Sequence, residues 1–209
     1  MEAIAGDIRA AGGQALVAPT DIGDPAGVAH LIDTTLKIYG RLDAAFNNAG
    51  DGHVPTPLAD ISVEDFDRVV RVNLRGIFLA MKYELPALLA SGGGAIVNMS
   101  SAAGLMGVPG IGSYVASKHG IIGLTRTAAI DYAQHNIRVN AVAPGPIRTH
   151  RLQNVPDQVR ERVLSPVPMH RLGEPEEIAA VVVWLCSDQA SFITGATIPI
   201  DGGRTSNGS

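Results

Sequence analysis

Cysteine is nearly absent from this sequence. The 209 residues contain one, Cys186, so an intramolecular disulfide framework is excluded. Cys186 follows Trp184 and Leu185 in an apolar run, which predicts that the thiol is packed inside the protein. A chain without disulfides suits a reducing compartment, and we expect a cytoplasmic protein.

Long runs of basic or apolar residues are also missing. The formal net charge is -4 and no run of Lys or Arg occurs, which argues against a nucleic-acid partner. No apolar run approaches the ~20 residues of a membrane helix. The histidines at 53, 119, 150 and 170 lack metal-ligand spacing, so we expect no metal site. A small-molecule substrate is the partner class that this composition favours.

Helical and strand patterns alternate along the whole chain. Apolar segments predict strands at 14–21, 42–47, 95–99, 137–143 and 196–200. Helical patterns precede or separate them at 2–11, 25–39, from 62 past Pro86, at 113–135 and from 174 onward. Such alternation is typical of an α/β fold with a doubly wound, mainly parallel sheet. The length accommodates one such core, so 1–209 is predicted to be a single domain.

Polar or turn-forming residues follow three of these strands. The sequence Asn47-Asn48-Ala49-Gly50 ends the second predicted strand, Ser100 and Ser101 follow the third, and Pro144-Gly145-Pro146 closes the fourth. Open parallel sheets bind ligands at the carboxyl ends of their strands. The sequence therefore predicts a ligand site at this edge.

Tyr114 and Lys118 lie four residues apart at the start of a predicted helix, so their side chains share a face. A nearby ammonium favours the phenolate form of a tyrosine and makes it a usable proton shuttle at neutral pH. Ser101 is placed to donate a hydrogen bond to the same substrate oxygen, and Asn73 lies in the helix flanking the site. A Tyr-x-x-x-Lys pair taken alone is weak evidence for catalysis, because most such pairs lie on solvated helix faces.

The order of motifs is much more specific than the pair. The chain contains NNAG at 47–50, Asn73, NMSS at 98–101, YVASK at 114–118 and NAVAPGPIRT at 140–149. In this order, and over essentially all 209 residues, the sequence resembles the classical short-chain dehydrogenase/reductase family. The resemblance implies a Rossmann-like fold and an NAD- or NADP-dependent oxidoreductase that interconverts a secondary alcohol and a ketone. It also implies pairing of subunits through the outer faces of the long helices, as a homodimer or homotetramer.

The resemblance also implies catalytic roles. Tyr114 would be the general acid/base and Ser101 the group that polarises the substrate oxygen. Lys118 would bind the nicotinamide ribose and tune Tyr114, while Asn73 would hold a water that relays protons through Lys118. Ser101 is preferred to Ser100 because the family's serine lies at this separation from the tyrosine, and Ser100 is assigned a structural role.

Three groups of residues match cofactor-binding positions of the family. Asp21 and Ile22 match positions beside the adenine ring. The stretch behind the adenosine is matched by Asn47, Ala49 and Gly50, although Asn47 is equally explained as a tie within the sheet. The loop around the nicotinamide carboxamide is matched by Pro144, Gly145, Ile147 and Thr149.

Family members begin with a βαβ unit that consists of a strand, a Gly-rich turn, a helix and a second strand. We do not find this unit in the sequence. The sheet is therefore expected to be truncated at its N-terminus, by roughly 50 residues. Weakened cofactor binding and an exposed sheet edge would follow. A non-catalytic member that still oligomerises is the alternative, and a mis-assigned start codon is another explanation. The choice between NAD and NADP and the identity of the substrate are not readable.

Overall fold

The computed structural model describes residues 1–206, apart from the side chain of Arg151. These residues form eight α-helices: α1 Glu2–Ala10, α2 Pro25–Tyr39, α3 Val63–Val70, α4 Gly76–Ser91, α5 Gly112–Tyr132, α6 His150–Gln153, α7 Asp157–Leu164 and α8 Pro175–Cys186. They also form four strands: β1 Ala44–Asn47, β2 Gly94–Met99, β3 Ile137–Pro144 and β4 Thr197–Ile200. Within this part of the chain, no helix has both the length and the apolarity that a membrane span requires.

The four strands form one parallel sheet in the order β1-β2-β3-β4. Asn47 pairs with Asn98 at the end of β1, and Met99 pairs with Val142 near the end of β3. Because all strands point the same way, their carboxyl ends meet at one edge of the sheet. The predicted fold class, a Rossmann-like parallel α/β sheet, is confirmed.

Helices cover both faces of the sheet, since successive side chains of a strand point to opposite faces. Ile96 of β2 packs with residues of α4 and α5, among them Leu88 and Ile121. Its neighbour Val97 packs on the other face against α8, where Leu185 is fully buried. The core therefore has two halves, and α4 and α5 lie together on one of them.

Capping residues and glycines define the boundaries of two helices. The Asp24 carboxylate accepts hydrogen bonds from the backbone of Ala26 and Gly27, which caps α2, and Gly40 ends that helix in the left-handed conformation. Three glycines with positive φ, residues 92–94, make the turn into β2. A Cβ on Gly94 would collide with the Asp43 carbonyl, so the turn requires glycine there.

The predicted strand at 14–21 is wrong. This segment is not part of the sheet, and the carbonyl oxygen of Ala15 accepts hydrogen bonds of 3.0 and 2.8 Å from the Arg9 guanidinium. Alternating apolar residues give a local preference for extended backbone, but a strand also needs a neighbour to complete its ladder. Among the described residues, β1 pairs only with β2, and no strand lies between β1 and this segment.

The long helix predicted from residue 62 is not continuous. Ser62 accepts a hydrogen bond from the Asp65 backbone at 3.1 Å and starts α3 as expected. A π-helical turn over Arg71–Arg75 then separates α3 from α4, with Asn73 at its centre. Such wide turns occur frequently at functional sites, and the apolar spacing of the sequence does not reveal them.

Candidate active site

The carboxyl ends of β1, β2 and β3 open onto a cleft of about 470 Å³. Six of the residues that the sequence singled out line this cleft: Ser101, Tyr114, Pro144, Gly145, Ile147 and Thr149. They come from three separate segments of the chain, and the parallel sheet brings those segments together.

Tyr114 and Lys118 meet as their helical spacing predicted. Lys118 Nζ lies 5.4 Å from the centre of the Tyr114 ring and donates a hydrogen bond of 2.8 Å to the carbonyl oxygen of Met99. Lys118 is only 2% exposed, and burial lowers its pKa to about 8. At neutral pH the group is therefore mainly an ammonium with three N–H donors, of which Met99 accepts one.

The two adjacent serines have different partners. Ser100 is buried and donates a hydrogen bond of 2.9 Å to the Lys118 carbonyl, so it ties the end of β2 to α5. Ser101 accepts a hydrogen bond of 3.2 Å from the backbone N–H of Ala103 and caps a short 3₁₀ turn. Because this contact uses Ser101 Oγ as an acceptor, the hydroxyl hydrogen is left to donate to a molecule in the cleft.

Asn73 connects three elements around Lys118. Its Oδ1 accepts a hydrogen bond from the Asp51 backbone N–H at 2.7 Å, and its Nδ2 donates to the Asp51 carbonyl at 2.9 Å. The same Nδ2 donates to Ser117 Oγ at 3.2 Å, next to Lys118 on α5. A Cβ on Gly50 would lie 3.3 Å from Asn73 Oδ1 and 3.7 Å from Lys118 Nζ. The loop after β1 is thus held directly against the ammonium.

Asn47 is half-buried and does not line the cleft. Its Nδ2 donates hydrogen bonds of 3.0 Å to Glu84 Oε2 and of 3.0 Å to Asn98 Oδ1. These contacts favour the interpretation of Asn47 as a tie within the sheet. Glu84 was missed by the sequence analysis, although an acidic residue three positions after Met81, on the buried face of an apolar helix, is a signal that reveals it.

Some of the residues predicted to lie around the adenosine are at the free edge of β1, outside the cleft. Ile22 and Ala49 line a second groove, of about 350 Å³, along the free edge of β1. Asp21 is held by an ion pair of 2.6 Å with Arg71 and accepts a hydrogen bond of 2.8 Å from Gly23. Ile22 and Ala49 are therefore separate from the residues of the cleft, whereas Gly50 lies beside Lys118.

Arginines near the cleft are engaged in surface ion pairs. Arg148 pairs with Glu174 at 2.8 Å, and Arg171 pairs with Glu177 at 2.7 Å. Both pairs are half-exposed, and such pairs contribute little net energy. These contacts favour a solvated face over a binding site for an anionic substrate. Among the described residues, no group of three His, Cys, Asp or Glu side chains is placed to hold a metal ion.

Lys118 provides a test of whether the site fits a nicotinamide cofactor. Within residues 1–206, Met99 is the one hydrogen-bond acceptor that the buried ammonium has. Buried charged groups need several hydrogen bonds to offset desolvation. The arrangement fits a hydroxylated ligand, such as a nicotinamide ribose, beside Tyr114.

The fold and this cleft define the chain as a parallel α/β protein with a cleft at the carboxyl ends of its strands. A family profile described as enoyl-(acyl carrier protein) reductase matches residues 2–205. The chain is 46% identical over 202 residues to a 2,5-dichloro-2,5-cyclohexadiene-1,4-diol dehydrogenase of Sphingobium indicum, which covers 95% of this chain and 81% of the relative. The chain belongs to the short-chain dehydrogenase/reductase family.

Solved structures agree with this assignment. The crystal structure of levodione reductase matches with a TM-score of 0.92 and 36% identity, over 99% of this chain and 84% of the other. A structure of ElxO with NADP bound matches with a TM-score of 0.86 and 37% identity, over 90% of this chain and 77% of the other. Similarity to these oxidoreductases indicates oxidoreduction with NAD or NADP as the general activity.

Proposed function

We propose that this chain interconverts a secondary alcohol and a ketone with NAD or NADP, and that Tyr114 is its general acid/base. The observation that carries the proposal is the position of the buried Lys118 ammonium, 5.4 Å from the Tyr114 ring in the cleft that Ser101 also lines. The diol dehydrogenase named above supports an alcohol as substrate.

In the oxidation direction, Tyr114 takes the proton of the substrate hydroxyl as the carbon–oxygen double bond forms. Ser101 donates a hydrogen bond to the same oxygen and limits the charge that develops there. Lys118 stabilises the phenolate of Tyr114 electrostatically. When bound, the nicotinamide cofactor supplies the acceptor for the hydride that leaves the carbinol carbon. In the reduction direction, Tyr114 returns its proton to the oxygen.

The cofactor would be held from both sides of β1. Lys118 offers N–H donors to the nicotinamide ribose, and a loop would orient the carboxamide through Pro144, Gly145, Ile147 and Thr149. The adenosine side would be formed by Asp21, Ile22, Asn47, Ala49 and Gly50, with Asn47 acting from behind the loop. Asn73, which anchors Asp51, would also hold the water that relays protons through Lys118.

We further propose that 1–209 acts as one domain and assembles into a homodimer or homotetramer. A shallow groove on the outer faces of α4 and α5 is lined by Leu74, Phe78 and Leu124, and Phe78 is 49% exposed. An apolar groove of this kind favours contact with another subunit. Light scattering on the purified protein tests the assembly, and a monomer at micromolar concentration would contradict it.

A titration of the 209-residue chain with NADH and with NADPH, followed by fluorescence, tests the main proposal. We expect saturable binding of at least one of them in the micromolar range, and oxidation of ring or open-chain secondary alcohols with the oxidised form. Absence of binding up to millimolar cofactor would contradict the proposal and favour a non-catalytic member of the family.

A further inference from the structure

A carboxylate lies buried behind the candidate site. Glu84 of α4 is 5% exposed, and its Oε2 accepts a hydrogen bond of 3.0 Å from Asn47 Nδ2 at the end of β1. Burial raises the pKa of Glu84 to about 7, and the hydrogen bond from Asn47 opposes this rise. An apolar residue at this position would avoid the cost of removing a carboxylate from water. The presence of Glu84 at a buried position therefore indicates a specific role.

The contacts of Glu84 continue across four elements. Asn47 Nδ2 also donates to Asn98 Oδ1 on β2, and Asn98 Nδ2 donates to Thr125 Oγ1 on α5 at 3.0 Å. Thr125 lies two turns after Lys118 on the same helix. Because the amide of Asn47 has two N–H groups, the two acceptors use both and fix its orientation.

The residues directly after Asn47 form the loop against Lys118. Gly50 approaches Lys118 Nζ and Asn73 Oδ1. The Asp51 backbone N–H donates to Asn73 Oδ1, and the Asp51 carbonyl accepts from Asn73 Nδ2. The loop over residues 48–51 is thus anchored by Asn73 at its far end and by Asn47 at its near end. Glu84, on α4, accepts a hydrogen bond from Asn47 and so holds the near end of the loop from outside the sheet.

We propose that Glu84 is a positioning residue, whose carboxylate orients the Asn47 amide and thereby fixes the loop over residues 48–51 beside Lys118. The consequence for cofactor binding rests on the proposed function, because the loop then forms part of the nicotinamide-ribose site. The consequence for the loop itself does not depend on activity.

Hydrogen exchange measured by mass spectrometry tests the effect on the loop. Loss of one hydrogen bond corresponds to about tenfold faster exchange in residues 48–52 of the Glu84→Leu variant. Glu84→Gln retains an amide oxygen that accepts the same bond, so its exchange should stay within about threefold of the unmodified protein. Glu64→Leu, on the exposed side of α3, is the matched control. Unchanged exchange in Glu84→Leu overturns the proposal.

Kinetics provide the second measurement. In Glu84→Leu we expect KM for the cofactor to rise about tenfold while kcat changes less than about threefold, with rescue by Glu84→Gln. A general structural defect would instead lower kcat and affect both variants. If Glu84→Leu does not fold, Asn47→Ala removes the same contact, and unaltered loop exchange in Asn47→Ala counts against the proposal. An inactive parent protein with a loop that responds to these changes refutes the proposed function and leaves the positioning role supported.

Discussion

Lys118 Nζ is held between two groups, the Tyr114 ring at 5.4 Å from its centre and the Met99 carbonyl oxygen at 2.8 Å. The first contact follows from the helical spacing of the two residues on α5, whereas the second depends on the end of β2. Since the ammonium is anchored by the sheet, it is fixed relative to the cleft and not only relative to its own helix.

Replacing Tyr114 by Phe removes the proposed proton acceptor while keeping the ring. General acid/base catalysis contributes 10²- to 10⁴-fold, so we expect kcat to fall about a thousandfold. The dissociation constant of the cofactor should change less than about threefold, because Phe preserves the packing. Steady-state kinetics and a fluorescence titration measure the two effects. Tyr83→Phe on α4 is the control, and a kcat of Tyr114→Phe within tenfold of the parent would remove Tyr114 from its role.

Lys118→Met should abolish turnover and yet stabilise the protein. Lowering the pKa of Lys118 to about 8 corresponds to a cost of about 3 kcal/mol for its charged form. The unpaired Met99 carbonyl offsets part of the gain, so we expect a net increase of about 1–2 kcal/mol in the free energy of unfolding at pH 7.

The size of the stabilisation in Lys118→Met also depends on pH. Because the folded-state pKa of Lys118 is depressed, the cost exists below pH 8 and disappears as pH rises toward 10.5. The stabilisation of Lys118→Met should shrink over that interval in urea unfolding experiments. The exposed substitution Lys82→Met serves as the control. A destabilised Lys118→Met at pH 7 would contradict the desolvation argument.

Glu84→Gln should alter how stability depends on pH. The folded-state pKa of Glu84 is raised from 4.5 to about 7, so its contribution is fully present below pH 4.5 and is lost as pH rises through 7. The variant lacks this titration. Its free energy of unfolding relative to the parent should therefore increase by about 3 kcal/mol between pH 4.5 and 7 and then stay constant. A difference independent of pH would show that Glu84 does not titrate in this range.

Asn73→Ala should loosen the loop after β1. The substitution removes two hydrogen bonds to Asp51 and one to Ser117 from a fully buried position. We expect a loss of about 2–4 kcal/mol in the free energy of unfolding and faster exchange of the Asp51 amide. Asn154→Ala, at an exposed position, should leave both unchanged. Slow exchange of Asp51 in the Asn73→Ala variant would mean that another group holds the loop.

Part of the candidate site could be predicted from the sequence, because residue spacing within a helix and the order of the strands define it. The four-residue separation of Tyr114 and Lys118 places both on one helix face, and parallel strands bring Ser101 and Pro144 to the same edge. Ser100 and Ser101, by contrast, are adjacent in sequence and chemically identical. Their different partners, Lys118 and Ala103, favour the structural role of Ser100 and leave the catalytic role of Ser101 a prediction.

The two predictions that were wrong depend on contacts between distant segments of the chain. Residues 14–21 have the alternation of a strand but no strand to pair with among the described residues. The helix from residue 62 has continuous apolar spacing, and the π-helical turn at Arg71–Arg75 interrupts it without a signal in that spacing. Both features depend on contacts between distant segments, which local propensity does not encode.

The sequence by itself determined the parallel α/β fold and the family, because periodicity, capping residues and motif order are local properties. It also placed Tyr114 and Lys118 on one helix face, and their role in proton transfer stays a prediction. Only the tertiary structure decided that Lys118 is buried, that Asn73 holds Asp51, and that Asn47 is oriented by Glu84. The burial of a side chain and the choice of its hydrogen-bond partner depend on which distant segments surround it. For this reason the family is recognisable from the motifs, whereas the positions of the charged groups and of the loop after β1 are set by tertiary packing.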